Sequence, residues 1–425
     1  MSCSGCKTND FEESLYYSSP AHGGWGVLKM SQMIPESYQL FVSPAACGRH
    51  GALAACIEGR KNKVSYLFLS EDDIVSGGYE QLLVDAAQKL LNHLKRTNKY
   101  PKVLMIFVSC IDDLLGTDHD ALIDELSEIY PDIKFTFCHM NPTSTDTNVP
   151  PPVNIQNKNY NLLDVTDEHD KGVNLIGNLA PLRSNGEIFQ VLSDLGATKV
   201  RHILQYETFS KYQEMAKSSL NIVVAPPGKY SAENMKKKHG IPYEMALTTF
   251  QIEEITKTYE KLGEVLGTKF EDTHGYEEKC RQEMEYTREY LKDIPVIIDG
   301  EAIARPFDLA KSLLSAGFNV TQVYEQKLIP TDKENYEWVK ENHPQVEIVQ
   351  PQNPKSSIRL AVQKDVLSIG YSSAYLSNAK YVVDIAGQHG LYGYQGLIDL
   401  MSLIRNASDK VADLRELLDN AVLVV

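Results

Sequence analysis

Two cysteines stand where a sheet edge would present them to a ligand. Cys47 follows the apolar run Tyr38-Gln39-Leu40-Phe41-Val42 and the segment Ser43-Pro44-Ala45-Ala46. Cys110 follows Val103-Leu104-Met105-Ile106-Phe107-Val108 and Ser109. Short runs of this kind, rich in β-branched and aromatic residues, read as buried parallel strands. Ligands of open α/β sheets collect in the crevice beyond the carboxyl ends of the strands. Thiolates are also the preferred protein ligands of iron–sulfur clusters. The pair therefore predicts a redox cluster, and two thiols per chain are too few for four-thiolate ligation, so a second subunit must complete it. Pro44 and Gly48 flank Cys47 and suit a tight turn that exposes its side chain.

The elements that must position these thiols alternate strand-like runs with amphipathic stretches, the signature of βαβ units. Further strands are predicted at Val64–Leu69, Ile133–Phe137, Gly172–Gly177, Leu220–Val224, Ile294–Gly300, Val320–Tyr324, Val346–Val349 and Tyr381–Asp384. Helices are predicted over Gln81–Leu94, Ala121–Ile129, Glu187–Leu195 and Pro306–Ala316, with one or two more in Thr249–Leu291 and an amphipathic helix at the C-terminus. The Pro-, Thr- and Asn-rich stretch Asn141–Asn159 reads as a long loop. At 425 residues the chain exceeds one ordinary core. The expectation is an α/β protein of three doubly wound, Rossmann-like parallel-sheet domains: 1–160 bearing the cluster, 161–290 with connecting helices, and 291–425 with C-terminal helices.

The net charge of −15 argues against a nucleic-acid partner, since phosphate neutralisation needs a basic surface. No apolar run is long enough to cross a bilayer, so no membrane role is expected. The N-terminus lacks a signal-peptide layout, and a cytoplasmic location follows as an expectation. Seven irregularly spaced cysteines argue against a disulfide framework. Cys56, Cys138 and Cys280 read as small buried apolar residues. Arg49, His50, His139 and Arg305 are candidates for lining a polar cavity, although each is more often a surface or packing residue. The acids Glu71-Asp72-Asp73 and Asp112-Asp113 suit helix N-termini better than paired acid–base catalysis. No Gly-x-x-x-x-Gly-Lys-Ser/Thr loop is present, so any ATP must be bound by a partner.

Four segments carry a resemblance to a known family. Ser19-Pro20-Ala21-His22-Gly23 with Ser43-Pro44-Ala45-Ala46-Cys47 resembles the opening of the dark-operative protochlorophyllide reductase B subunit. Ser70 to Gly78 resembles the acidic, glycine-ending segment of nitrogenase beta subunits, and Ser109 to Asp118 their cysteine-acid-glycine signature. Tyr392-Gly393-Tyr394-Gln395-Gly396 is similar to the aromatic-glycine motif before their C-terminal helices. The chain thus resembles the nitrogenase component-one superfamily, most nearly its beta-type subunits.

The resemblance implies an oxidoreductase component with Cys47 and Cys110 as cluster ligands. It further implies electron relay from an ATP-dependent iron–sulfur reductase partner to a reducible substrate. A homodimer would hold a 4Fe–4S cubane, and a heterodimer with an alpha-type subunit a larger P-cluster-like assembly. Scaffolding the assembly of a nitrogenase-type metal cofactor is the alternative, because maturation proteins share the fold. A metal-free small-molecule binder is a third reading. The family's first cluster cysteine is missing from Leu15–His22; His22, or Cys6 of the Cys3-x-x-Cys6 pair, are candidate replacements. Ala225 stands where alpha subunits carry a cofactor-anchoring cysteine, and no histidine directly precedes Gly393, His389 being misplaced for that role. These departures exclude alpha-type binding of an iron–molybdenum cofactor.

Overall fold

The continuously apolar runs form strands because helices and neighbouring strands cover both their faces. The structure is a computed structural model that describes residues 10–12, 30, 32–48, 55, 59, 61–140, 149–272, 274–356, 359–360, 362–386 and 390–421. Three mixed α/β layers follow one another along the chain, each built on a parallel sheet. The first contains β1 (Ser37–Pro44), β2 (Val64–Leu69), β3 (Val103–Val108) and β4 (Lys134–His139), in the order β2-β1-β3-β4. The second contains β5 (Gly172–Ile176), β6 (Lys199–Arg201), β7 (Leu220–Val223) and β8 (Tyr243–Met245), in the order β6-β5-β7-β8. The third contains β9 (Val296–Asp299), β10 (Val320–Tyr324), β11 (Glu347–Val349), β12 (Lys364–Ile369) and β13 (Ala379–Val383), in the order β11-β10-β9-β12-β13.

The strand order reverses between β1 and β3, between β5 and β7, and between β9 and β12. Every residue of β3 is buried, as is every residue of β1 except Pro44. Cores run between the layers as well as within them. Phe41, Met105 and Phe107 of the first layer share one apolar cluster with Ile176 and Met235 of the second. Leu175 and Ile222 of the second share another with Ile298, Phe307 and Tyr394 of the third.

The long-loop expectation fails over its second half. Pro151–Asn161 is a helix, while residues 141–148 lie outside those described. Prolines at its start suit the first helical positions. Its helical signal is hidden because polar Gln156, Asn157 and Asn159 share its buried face with Ile155 and Tyr160. Gln156 donates through Nε2 to the Gly177 carbonyl at 3.1 Å, Asn159 through Nδ2 to the Met30 carbonyl at 2.8 Å, and Asn157 accepts from Asn234 at 3.0 Å. Strand β12 was also unforeseen. Lys364, Asp365 and Ser368 interrupt its apolar pattern, yet it lies between β9 and β13. Thr249–Leu291 resolves into two helices, Ile252–Leu266 and Tyr276–Leu291, the first ended by Gly267 at φ +77°.

A buried carboxylate ties the second layer to the aromatic-glycine motif. Glu187 Oε1 accepts from the Tyr394 amide and the Tyr259 hydroxyl, both at 2.6 Å, and Oε2 accepts from the Gln395 amide at 2.9 Å. The motif opens the helix Gly393–Ser408, whose first amides would otherwise lack partners. Gly393 holds φ +64°, and a Cβ there would meet the Tyr259 hydroxyl and Glu187 Oε1. Glu187→Gln would turn an amide donor toward groups that already donate. It should lower stability by about 2–3 kcal/mol, read as a lower urea midpoint, with Glu187→Asp losing less.

At the third sheet's carboxyl edge, Asp299 is wholly buried and accepts from the amides of Glu301 at 3.0 Å and Ser373 at 2.8 Å. Burial, then the neighbouring Glu301 charge, push its carboxyl up to about 7. A carboxyl raised in the folded state favours folding while protonated. Its contribution is full below the unfolded carboxylate range and is lost as pH rises toward neutrality. Stability should therefore fall between about pH 4 and pH 7, by at most about 1.4 kcal/mol per unit from this group. Urea midpoints measured across that range should show a shallower slope in Asp299→Asn.

Candidate functional site

Because β1 and β3 pair directly, with Val42 opposite Val108, their carboxyl ends open side by side at the reversal of the first sheet. Residues 45–48 begin a helical turn after β1, and Cys47 on it is exposed. Cys110 is the first residue of the helix Cys110–Leu115 and is partly exposed. Burial, and then the nearby Cys110, push the Cys47 thiol above its ordinary range. The two thiols thus share one electrostatic environment at the crevice where this fold class places ligands.

A ladder of rings floors this edge. Phe107, Phe41, Tyr66 and Phe68 stack in succession, with centroids 4.7, 5.6 and 5.7 Å apart. Direct cross-strand pairing of Phe41 with Phe107 and with Tyr66 sets this stack. Phe68 presses on the turn that carries Cys47: a Cβ at Gly48 would lie 2.8 Å from its ring.

Four polar side chains cluster beside the thiols. Asp112 and Asp113 occupy the first turn of the helix Cys110–Leu115, as expected for helix N-terminal acids. Gly116, at φ +67°, ends that helix, and Asp118 caps the next, His119–Ile129, through the Ala121 amide. This reversal brings His119 Nε2 to 2.7 Å from Asp112 Oδ2. At the end of β4, His139 Nδ1 lies 2.8 Å from Asp113 Oδ1. The two imidazoles meet edge to face with centroids 4.9 Å apart. Sequence reasoning singled out His139 alone and treated the acids as dipole partners. It missed His119, whose only signal was a histidine at a helix start just beyond an acidic segment.

Other candidates separate from this edge. Arg305 donates to the carbonyls of Thr331 at 3.1 Å and Thr248 at 3.3 Å, clamping the helix Pro306–Ser315 in the third layer. Cys138 and Cys280 are buried, with thiols pushed up to about 12. Cys3, Cys6, His22, Arg49, His50, Cys56 and His389 lie outside the described residues. The matching crevice of the second sheet is filled by backbone. A Cβ on Gly177 would lie 2.5 Å from the Ala225 carbonyl oxygen, and one on Gly228 would lie 2.6 Å from Gly177 Cα. Ala225 is therefore packed into the sheet edge.

Comparison with known proteins bears on this geometry. The family profile described as nitrogenase component 1 type oxidoreductase matches residues 24–408. The chain belongs to that family. A curated relative, the nitrogenase iron-molybdenum cofactor biosynthesis protein NifE of Clostridium pasteurianum, is 26% identical over 315 residues. That alignment covers 69% of this chain and 65% of the relative, so the chain spans just under two thirds of the relative's length. Among solved structures, one titled Nitrogenase Cp1 at pH 6.5 matches with a TM-score of 0.68 and 15% identity, covering 93% of this chain and 94% of that one. Another, Nitrogenase Cp1 at pH 5, gives 0.59 at 15% identity, covering 94% and 89%. These structures establish the component 1 type architecture of parallel sheets.

Exposure separates Cys47 and Cys110 from the buried Cys138 and Cys280. Iodoacetamide should modify Cys47 in the folded chain, with Cys110 slower, while Cys138 and Cys280 react only after denaturation. Peptide mass spectrometry reads the order.

Proposed function

We propose that the chain is a scaffold for the assembly of a nitrogenase-type metal cofactor, carrying an iron–sulfur cluster ligated by Cys47 and Cys110 and completed by a second subunit. The observation that carries this reading is the placement of both thiols at the reversal of the first sheet, one after β1 and one after β3. The donor chemistry fits the group: two cysteines at a solvent-accessible edge suit cluster iron. Two thiols leave the iron under-ligated, so the site calls for a homodimer or a heterodimer with an alpha-type subunit. When bound, the cluster would supply a site for metal–sulfur chemistry or for single-electron transfer. The chain's own residues fix the spacing of the donors, and the ring ladder ending at Phe68 supports the turn bearing Cys47.

The scaffold reading is favoured over electron relay by the relative whose name is that of a cofactor biosynthesis protein. The backbone-filled second crevice, with Ala225 at its edge, leaves the first sheet as the place for metal in either reading. The second reading is a beta-type reductase subunit that accepts electrons from an ATP-dependent iron–sulfur partner. Both readings share the thiol site.

Anaerobically purified or reconstituted chain should contain iron and acid-labile sulfide and absorb near 400 nm. Cys47→Ala and Cys110→Ala should each bleach that absorption and weaken subunit association, because shared metal links the protomers. Retention of the absorption by both variants would remove the site. Transfer of the cluster to an acceptor apoprotein, without turnover by an added reductase, is the outcome expected of a scaffold; reductase-dependent turnover would favour the relay.

A further inference from the structure

We propose that Asp112, His119 and His139 form a second metal site, one that binds a single first-row divalent cation of the zinc or ferrous type through nitrogen and oxygen, with Asp113 orienting His139. One donor atom from each of the three residues lies within 4.8 Å of the others. They come from three rigid elements: the helix Cys110–Leu115, the helix His119–Ile129 and strand β4. Two histidines and one carboxylate suit borderline first-row ions better than magnesium or calcium, which prefer all-oxygen shells.

The buried carboxylate is the strongest pointer to a cation. Asp112 is 1% exposed, and its Oδ1 has no hydrogen-bond partner among the described residues. A buried carboxylate oxygen without a donor is costly, and buried charges in proteins are paired or coordinate metal. Tyr79, also buried, brings its phenol beside this carboxylate without a well-formed hydrogen bond. His119 pairs with the other oxygen, which leaves Oδ1 to face an ion.

His139 shows the arrangement found around metal-binding imidazoles. Its Nδ1 is engaged by Asp113, and this leaves Nε2 as the ligand nitrogen. The side chains of His119 and His139 are 19% and 33% exposed, so an ion can enter from solvent and retain a water ligand. Binding exchanges the hydrogen bond between His119 and Asp112 for two bonds to the ion, with the proton of the neutral His119 ligand carried on its other ring nitrogen. Asp113 lies three residues after Cys110 and so shares its helix face, which sets this site next to the thiols without using them.

Cobalt(II) titration of the full chain tests the proposal. Replacing Cys47 and Cys110 by serine first removes the thiol site. The Cys47→Ser, Cys110→Ser protein should still take up one equivalent of cobalt with weak visible d–d bands and no near-ultraviolet sulfur-to-cobalt band. Adding His119→Gln, or separately His139→Gln, should weaken that equivalent by about ten-fold or more. Both histidines are partly exposed, and far-ultraviolet circular dichroism with urea midpoints confirms that each variant folds. Unchanged affinity in both histidine variants overturns the site. So does uptake only through sulfur, lost with the two serine substitutions. Failure of the cluster site leaves the cobalt result intact, and the reverse holds as well.

Discussion

The direct pairing of β1 with β3 is the constraint on which the functional edge depends. Their onward connections leave in opposite directions, β1 to β2 on one side and β3 to β4 on the other. No connecting segment need then cover the gap between the two carboxyl ends. Cys47 and Cys110 are 63 positions apart in sequence, by the difference of their numbers, yet this pairing sets them at one crevice. The same step places β4, and so His139, beside the helix that carries Asp112 and Asp113. One register therefore governs both the sulfur donors and the imidazole–carboxylate cluster. A slip of one residue between β1 and β3 would turn every buried side chain of these strands to the opposite face.

The three layers share such a reversal of strand order but use their crevices differently. In the second, Gly177, Ala225 and Gly228 pack backbone against backbone. In the third, Asp299 reaches the amide of Ser373 at the start of Tyr371–Ser377, and Gly370 passes close to Asp299, so protein groups satisfy the edge. Only the first sheet's edge combines exposed sulfur with unsatisfied buried oxygen among the described residues. A shared apolar core then joins that layer to the second, and Glu187 ties the second to the third through Tyr259 and the helix beginning at Gly393.

Much of the fold was legible because its signals are local. Fully apolar runs such as Val103–Val108 have one good solution, and the strand matches the expectation residue for residue. The position of Cys110 just beyond that strand was readable for the same reason. Much of what escaped was polar, and the short strands β6 and β8 were too brief to show a pattern. The helix Pro151–Asn161 hides behind Gln156, Asn157 and Asn159, whose amides bond partners far away in sequence. Strand β12 hides behind Ser368, whose hydroxyl bonds Ser373 at 2.7 Å. His119 escaped in the same way, since its meaning lies in Asp112, which the chain reversal at Gly116 brings opposite it. Patterns of hydropathy register where water is excluded, and they are silent about which polar groups find one another there.

The electrostatics of the thiol pair gives the proposed cluster a further physical consequence. Burial and Cys110 both disfavour the thiolate of Cys47, so the free chain holds that sulfur as a thiol more firmly than an ordinary cysteine. A cation inverts this preference, because its charge outweighs the repulsion between two sulfurs and deprotonates the ligands outright. Metal binding at this edge is then coupled to proton release and to whatever completes the ligand shell. The surroundings reinforce the coupling: Phe68 is 49% exposed, and Leu114, on the helix begun by Cys110, is 85% exposed. Apolar groups left in water around an under-ligated pair of donors lose that exposure when a second subunit covers them. On the proposed reading, ligation and subunit contact therefore stabilise one another, and neither sulfur is a strong ligand until both are in place.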